Sequence, residues 1–129
     1  MNTELDAAIE EFNRGEFFSA AELFENAATA AAADADKTFA VTLNRIATGL
    51  HLRFERGGRQ AAINLFSQAM LTLDQMKPSR DGIDIETLLT ELQAYTEELR
   101  ATPKDEGEGM KHRARLFLER RRAPKIKRT

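Results

Sequence analysis

The sequence predicts an all-α fold: a compact, tetratricopeptide-like bundle of two antiparallel helical hairpins, a fifth core helix and a basic C-terminal tail. Apolar residues recur at helical spacing, no stretch shows convincing strand alternation, and one pattern occurs twice, 42 residues apart. Each copy is typical of a helix end, a tight turn and a second helix that packs back on the first. The paired positions are Gly15 and Gly57, Phe17 and Arg59, Ala20 and Ala62, Phe24 and Phe66, and Ala27 and Ala69.

The first helix is predicted over residues 5–14. Thr3 can cap its N terminus, with Asp6 three residues later. Gly15 can end the helix, because glycine tolerates the left-handed conformation that often follows a helix C terminus. Its apolar side carries Leu5, Ile9 and Phe12.

The second helix is predicted to begin at Ser19. Ser19 and Glu22 have the spacing of a capping box, in which each side chain bonds to the other's backbone N–H. Phe18 is placed to pack against Leu23 as a hydrophobic staple. The helix is expected to continue through the alanine-rich segment 27–33, whose small side chains permit close backbone approach.

The remaining core helices are predicted from apolar stripes and end signals. Asp34 and Asp36 can cap the third helix, and Gly57-Gly58 stops it. The fourth helix ends before Pro78, and the fifth covers Asp84–Leu99 with the aspartate as its cap. The stripes expected to be buried are Phe39, Leu43, Ile46, Ala47, Leu50 and Phe54 in the third helix; Ala62, Leu65, Phe66, Ala69, Leu73 and Met76 in the fourth; and Ile85, Leu88, Leu89, Leu92, Tyr95 and Leu99 in the fifth.

Charge divides the chain into an acidic body and a basic tail. We expect a helical domain over residues 1–101, an acidic flexible linker over 102–109 and a tail over 110–129. From residue 111 onward, nine Lys and Arg face one acid, whereas the preceding residues carry ten basic and twenty acidic groups. The tail can form a short helix that ends before Pro124, because Met110, Ala114, Phe117 and Leu118 share helical spacing.

Composition argues against several functional classes. There is no cysteine, which excludes disulfides, thiolate metal sites and a catalytic thiol, and suits a reducing cytoplasm. No apolar run approaches the ~18 residues of a membrane span, and residues 1–4 lack the features of a signal peptide. Gly57-Gly58 follows a helix, where a nucleotide-binding loop would follow a strand. We therefore expect no enzymatic activity, no cofactor and no metal.

The repeated pattern resembles the core of the tetratricopeptide motif, in which small residues let two helices approach and aromatic residues fill the space between them. Tetratricopeptide units recur at about 34 residues in stacked arrays. Here the period is 42 and the pattern occurs only twice. A closed bundle is therefore expected instead of an open array.

Four further segments carry a second resemblance. They are the Phe-Asn-Arg-Gly-Glu-Phe-Phe block at 12–18, the turn at 55–62, the Gly-Ile-Asp-Ile segment at 82–85 followed by Leu88-Leu89, and Pro-Lys-Ile at 124–126. In this order they resemble the bacterial, archaeal and plastid family known as domain of unknown function 309. The resemblance implies a compact all-α bundle.

The same resemblance implies a polar site that this chain has altered. The second helix of the family usually carries His-Glu-x-x-Glu followed shortly by Trp. Here Ala21 and Ala28 occupy the His and Trp positions, while Glu22 and Glu25 remain. Two carboxylates without an imidazole make a poor zinc or iron site. We therefore expect the family site to be lost or remade, with Glu22 serving the capping box and Glu25 solvated.

The two histidines are expected to play minor roles. His51 lies beside the apolar stripe of the third helix, and we expect it to pair with Glu55 one turn later. His112 is expected to be one more polar group of the tail. A remnant hydrolase or metal site around Glu22, Glu25 and His51 is kept as an alternative.

The tail carries the candidate binding residues. Apolar side chains beside arginines form a basic amphipathic patch, as in segments that contact RNA, anionic membranes or an acidic partner helix. The tail can instead fold onto its own acidic body or onto a second subunit. The predicted function is a non-enzymatic scaffold or protein-interaction domain, with RNA binding through the tail as the alternative. The candidate residues are Arg115, Phe117, Leu118, Arg120, Arg121 and Arg122.

Overall fold

The computed structural model describes residues 3–56, 58–102 and 110–129. These ranges are almost entirely helical, which confirms the predicted all-α class. One feature that the sequence did not predict is a pair of two-residue strands before the fifth helix. The elements are α1 (Thr3–Asn13), α2 (Phe17–Ala30), α3 (Asp34–Arg56), α4 (Arg59–Asp74), β1 (Ser79–Arg80), β2 (Ile83–Asp84), α5 (Ile85–Ala101) and α6 (Met110–Arg120).

Consecutive helices from α1 to α5 pack against one another around one hydrophobic core. The small and aromatic positions of the repeat are buried in both hairpins, since Ala20, Phe24, Ala62 and Phe66 are all 0% exposed. Phe12 joins the first set, with its ring centroid 6.4 Å from that of Phe24. The repeat therefore marks the residues on which each hairpin closes.

The predicted start of α2 is wrong. The helix begins at Phe17, with Glu16 as its N-cap residue and no side chain capping it. Gly15 has a φ of +84° and reverses the chain immediately after α1. This early reversal turns Phe17 into the core, where its ring centroid lies 5.4 Å from that of Phe12. Burial of that ring outweighs the capping signal at Ser19, which lies within the first turn of the helix.

The predicted capping box and hydrophobic staple do not form at the start of α2. Glu22 is exposed and completes no box. Phe18 is 57% exposed and therefore does not serve as a buried staple.

The predicted cap of α5 is confirmed. Asp84 accepts hydrogen bonds from the Thr87 N–H at 2.9 Å and from the Thr87 hydroxyl at 2.7 Å. These bonds lower the pKa of the Asp84 carboxyl, the hydroxyl being the stronger cause. Ahead of the cap, β1 and β2 pair antiparallel, with Ser79 opposite Asp84 and Arg80 opposite Ile83.

Several sequence predictions fall outside the described residues. Thr102 follows the end of α5, and the rest of the predicted linker, 103–109, is not described. Gly57 and the side chain of His112 also lie outside the described part. The end of α6 at Arg120, ahead of Pro124, agrees with the predicted short tail helix.

Gly49 sets the distance between α3 and α4. A Cβ atom at this position would lie 2.6 Å from Cε1 of Phe66, closer than real Cβ contacts allow. Phe66 is fully buried and cannot move into solvent. We therefore expect Gly49→Ala to destabilise the protein by about 1–3 kcal/mol through overpacking.

Urea unfolding of Gly49→Ala measures this effect, and Thr48→Ala is the matched control. Thr48 precedes Gly49 on the same helix and is only half-buried, so its replacement by a better helix former should change the free energy of unfolding by less than about 0.5 kcal/mol. Equal stability of Gly49→Ala and the native protein would contradict the close approach.

Candidate functional site

A buried ion pair holds the tail on the body. Arg53 in α3 and Glu119 in α6 are each 1% exposed. The guanidinium donates two hydrogen bonds to the carboxylate, from Nε to Oε2 at 2.8 Å and from Nη2 to Oε1 at 3.1 Å. The hydroxyl of Tyr95 in α5 donates to Oε2 of Glu119 at 3.0 Å. Three helices therefore meet at one carboxylate.

The Tyr95 phenol is strongly perturbed by this arrangement. Burial raises its pKa, and the negative charge of Glu119, which accepts its hydrogen bond, raises it further. Its ring packs edge-on against Phe66, with 5.8 Å between ring centroids. The hydroxyl is therefore held as a neutral donor.

Arg120 makes a second attachment, beside the turn between α1 and α2. Its guanidinium carbon lies 5.3 Å from the ring centroid of Phe17 and 5.4 Å from that of Phe54. Nη2 donates to the carbonyl oxygen of Gly15. Arg120 is thus engaged with the body by aromatic contacts and a hydrogen bond.

Charged residues after α6 pair with carboxylates of the body. Arg122 binds both carboxylate oxygens of Glu98, with Nε 2.8 Å from Oε1 and Nη2 2.9 Å from Oε2. Lys127 Nζ lies 2.7 Å from Oε2 of Glu91. Arg128 pairs with Asp6, near the start of α1. The basic tail therefore contacts the acidic surface of its own chain at several points.

A side-chain amide anchors the last segment. Asn13 donates from Nδ2 to the carbonyl of Ile126 at 2.8 Å and accepts the N–H of Ile126 at Oδ1, also at 2.8 Å. Lys125 Nζ donates to the Asn13 carbonyl at 3.0 Å. Ile126 and Ala123 are buried and belong to the core of the bundle. The segment after α6 is thus part of the packed body.

Three sequence blocks of the family resemblance come together here. Asn13 comes from the Phe-Asn-x-Gly block and binds Ile126 of the Pro-x-Ile element. Asp84, from the Gly-Ile-Asp block, donates its backbone N–H to the carbonyl of Lys127 at 2.8 Å. Ile83 forms an isolated antiparallel bridge with Arg128. These motif residues act structurally, since they hold residues 126–128 against α1 and β2.

The structure divides the six candidate residues of the tail between two faces. Arg120 and Arg122 contact the body. The other four are exposed on α6, where Phe117 and Leu118 are 62% and 51% exposed and Arg121 stacks over Phe117 at 5.2 Å. Arg115 and Arg121 form no ion pair with any residue that the structure describes. The outer face of α6 comprises Phe117, Leu118 and Arg121, with Arg115 at its edge, three positions before Leu118 and four before the buried Glu119.

The residues that the resemblance places at a polar site do not assemble into a polar centre. Glu22 and Glu25 are exposed on α2. The expected pair of His51 with Glu55 is wrong, because no hydrogen bond or ion pair joins the two side chains. The imidazole instead packs near Phe18, with 5.2 Å between ring centroids. Within the described ranges, no group of three or more His, Cys, Asp or Glu side chains could hold a metal ion.

Two concave regions of about 400 Å³ each lie away from the tail helix. One lies between Leu5, Ala27 and Ala40, and its carboxylates are already paired, such as Asp6 with Arg128. The other is a groove between α4 and α5 beside Leu71, the most exposed large apolar residue of the described chain at 74%. Sequence reasoning predicted neither region, because each combines residues from separate helices.

Sequence reasoning also missed the residues that hold the tail. Two signals were present. Glu119 is the only acid in the segment 111–129, and Arg53 follows Ile46 and Leu50 at buried-face spacing on the third helix. Neither signal identifies the other residue of the pair. Asn13 carried no signal beyond its place in the resemblance.

Comparisons with known proteins add no assignment to this geometry. No family model matches the chain, and no curated protein or solved structure does either. Among the described helices, none has the length and apolar character to cross a membrane.

We expect Glu119→Gln to destabilise the protein by about 3–5 kcal/mol, because it removes the carboxylate charge that compensates the buried Arg53 guanidinium. Replacing both Arg53 and Glu119 by methionine should lower the free energy of unfolding by less than the sum of the two single methionine replacements. Glu98→Gln is the control, since it breaks a pair that is partly solvent-exposed and should cost much less. Urea unfolding provides the comparison, and additive single and double effects would contradict a direct pair.

We expect alkaline unfolding to coincide with ionisation of Tyr95. Its folded pKa is raised above the ordinary value of 10.0, so its contribution to stability is intact below pH 10 and is lost as the unfolded phenol ionises above it. Tyr95 is the only tyrosine of the chain, so tyrosinate absorbance reports this group alone. Absorbance and helical circular dichroism should change together. A phenolate that titrates near pH 10 with the helices intact would contradict its burial.

Proposed function

We propose that this protein is a non-enzymatic helical scaffold that binds a protein partner through the outer face of α6. The observation that carries the proposal is the exposure of two adjacent large apolar side chains, Phe117 and Leu118, on a helix whose next residue, Glu119, is buried. Contiguous exposed apolar side chains mark interaction surfaces. With arginines beside them, they suit the apolar side of an acidic amphipathic segment.

The contacts on the opposite side of α6 support this role. Glu119 and Arg120 hold the helix to three parts of the body, namely α3, α5 and the turn after α1. A partner would therefore meet a helix that is already formed and positioned. Such preorganisation reduces the entropy cost of binding.

The alternative of RNA binding has less support from the geometry. Phosphate binding requires free cations, and five basic side chains of the tail already contact groups of the body. Arg115 and Arg121 are the ones without such contacts among the described side chains of 114–129. The basic residues that already contact the body are Arg120, Arg122, Lys125, Lys127 and Arg128.

Membership of the domain of unknown function 309 family is part of the same proposal. Its support is that two of the blocks carrying the resemblance contact each other, through Asn13 and Ile126. A third block contacts the residue directly after the Pro-Lys-Ile element, through Asp84 and Lys127. The loss of the family's His and Trp at Ala21 and Ala28 favours a binding role for this chain over a catalytic one.

The proposal is tested with a labelled acidic peptide that forms a helix with leucines at i, i+3, i+4 and i+7. Fluorescence anisotropy should show binding to the native protein. The double variant Phe117→Ser/Leu118→Ser should bind at least tenfold more weakly, because exposed apolar anchors carry most of the energy of such contacts. Phe18→Ser is the matched control, as it removes a comparably exposed phenylalanine elsewhere and should leave binding unchanged.

A labelled RNA oligomer of generic sequence provides the opposing measurement. Tight RNA binding that weakens steeply with salt, is abolished by Arg115→Glu/Arg121→Glu and is insensitive to the serine variants would overturn the proposal in favour of the nucleic-acid alternative. Peptide binding that survives Phe117→Ser/Leu118→Ser would place the partner surface elsewhere.

A further inference from the structure

The groove between α4 and α5 is the second exposed apolar feature of the molecule. Leu71 stands at its edge with 74% of its surface exposed, and Met70 in the groove packs partly against the core. The volume of about 400 Å³ lies in the range of binding clefts. The residues that line the groove are Ser67, Met70, Leu71, Asp74, Gln93, Glu97 and Arg100.

Carboxylates are available at the edge of this groove. The side chains of Asp74 and Glu97 are 61% and 71% exposed. Each pairs with a basic residue three positions later, Asp74 with Lys77, which follows the end of α4, and Glu97 with Arg100 on α5. Exposed pairs of this kind contribute little and are readily exchanged for other partners. The groove thus offers an apolar strip and two exchangeable carboxylates.

The outer face of α6 has the complementary composition. It presents two apolar side chains, Phe117 and Leu118, with the cation of Arg121 beside them and that of Arg115 at its edge. Neither cation forms an ion pair within the described part of the chain. When this face contacts the groove, apolar side chains pack on apolar side chains and arginines lie near carboxylates. Of the four large apolar residues that are exposed in the described chain, three belong to these two surfaces.

The two surfaces lie on opposite sides of α5. Gln93, Glu97 and Arg100 share one side at i, i+4 and i+7. Tyr95 and Glu98, which bind the tail, face the other side of the same helix. The α6 helix of one chain, fixed by its contacts to that other side, therefore cannot enter its own groove.

We propose that the groove between α4 and α5 binds the outer face of α6 from a second copy of this chain. The proposal rests on the proposed function, because it names the partner of the same face. The contact joins two different surfaces, so each copy both donates a helix and offers a groove. If each of two copies places its α6 in the groove of the other, the two contacts close a dimer. If they do not, the same contact repeats from copy to copy and forms a longer assembly.

Charge exchange tests the proposal with the full-length chain. One variant carries Arg115→Glu/Arg121→Glu, which makes both surfaces acidic. The other carries Asp74→Lys/Glu97→Lys, which makes both surfaces basic. All four positions are exposed, and circular dichroism verifies that each variant is folded. Sedimentation velocity should show that the native protein self-associates as its concentration rises.

We expect each variant alone to associate at least tenfold more weakly than the native protein. An equimolar mixture should recover association, because both contacts in a mixed pair again join opposite charges. Leu71→Ser should also weaken association of the native sequence, whereas Phe18→Ser should not. Recovery in the mixture separates a direct contact from an indirect effect on folding.

The outcomes distinguish this inference from the proposed function. A protein that stays monomeric at all accessible concentrations but binds the acidic peptide through Phe117 and Leu118 overturns the second copy as partner and leaves the proposed function standing. Association that is indifferent to both charge variants also overturns the inference. Failure of both peptide binding and self-association removes the two proposals together.

Discussion

The pairing of Arg53 with Glu119 is the interaction on which the arrangement of the C-terminal half depends. A buried charge is costly unless an opposite charge and hydrogen bonds compensate it, and here both are present. The carboxylate determines which side of α6 faces the body. At 100° per residue, the side chain at 117 then points almost directly away from the body, and the side chain at 118 points to one flank. The exposure of Phe117 is thus a geometric consequence of one buried acid.

The tail is held on the body by both surface ion pairs and more buried contacts. Its pairs with Glu91, Glu98 and Asp6 are partly exposed, and each alone contributes little. The specific attachments are made by Glu119, which is buried in the core, and by the partly buried amide of Asn13 on the backbone of Ile126. The opposite charges of body and tail bring the two together, and the buried groups determine the register.

The sequence predicted those features that depend on neighbouring residues. The helical class, the repeat and the Asp84 cap could be identified because helical spacing and capping act over a few residues. Ser19 shows the limit of such signals, since a complete capping motif was overridden by the burial of Phe17. The position at which the tail packs on the body could not be predicted, because it depends on the contact between Arg53 and Glu119, which are 66 residues apart. The groove beside Leu71 could not be predicted either, because its lining residues come from two separate helices, α4 and α5.

The bond between Asn13 and Ile126 spans 113 positions of the chain. The contacts between successive helices from α1 to α5 join nearer neighbours and can form as the chain grows, whereas this closure must wait until residue 126 has been added. During synthesis, therefore, the amide of Asn13 and the core surface beneath Ile126 stay open to solvent until residues 125–128 leave the ribosome. The order of events is imposed by chain connectivity, and a nascent bundle remains incomplete however well its first helices pack.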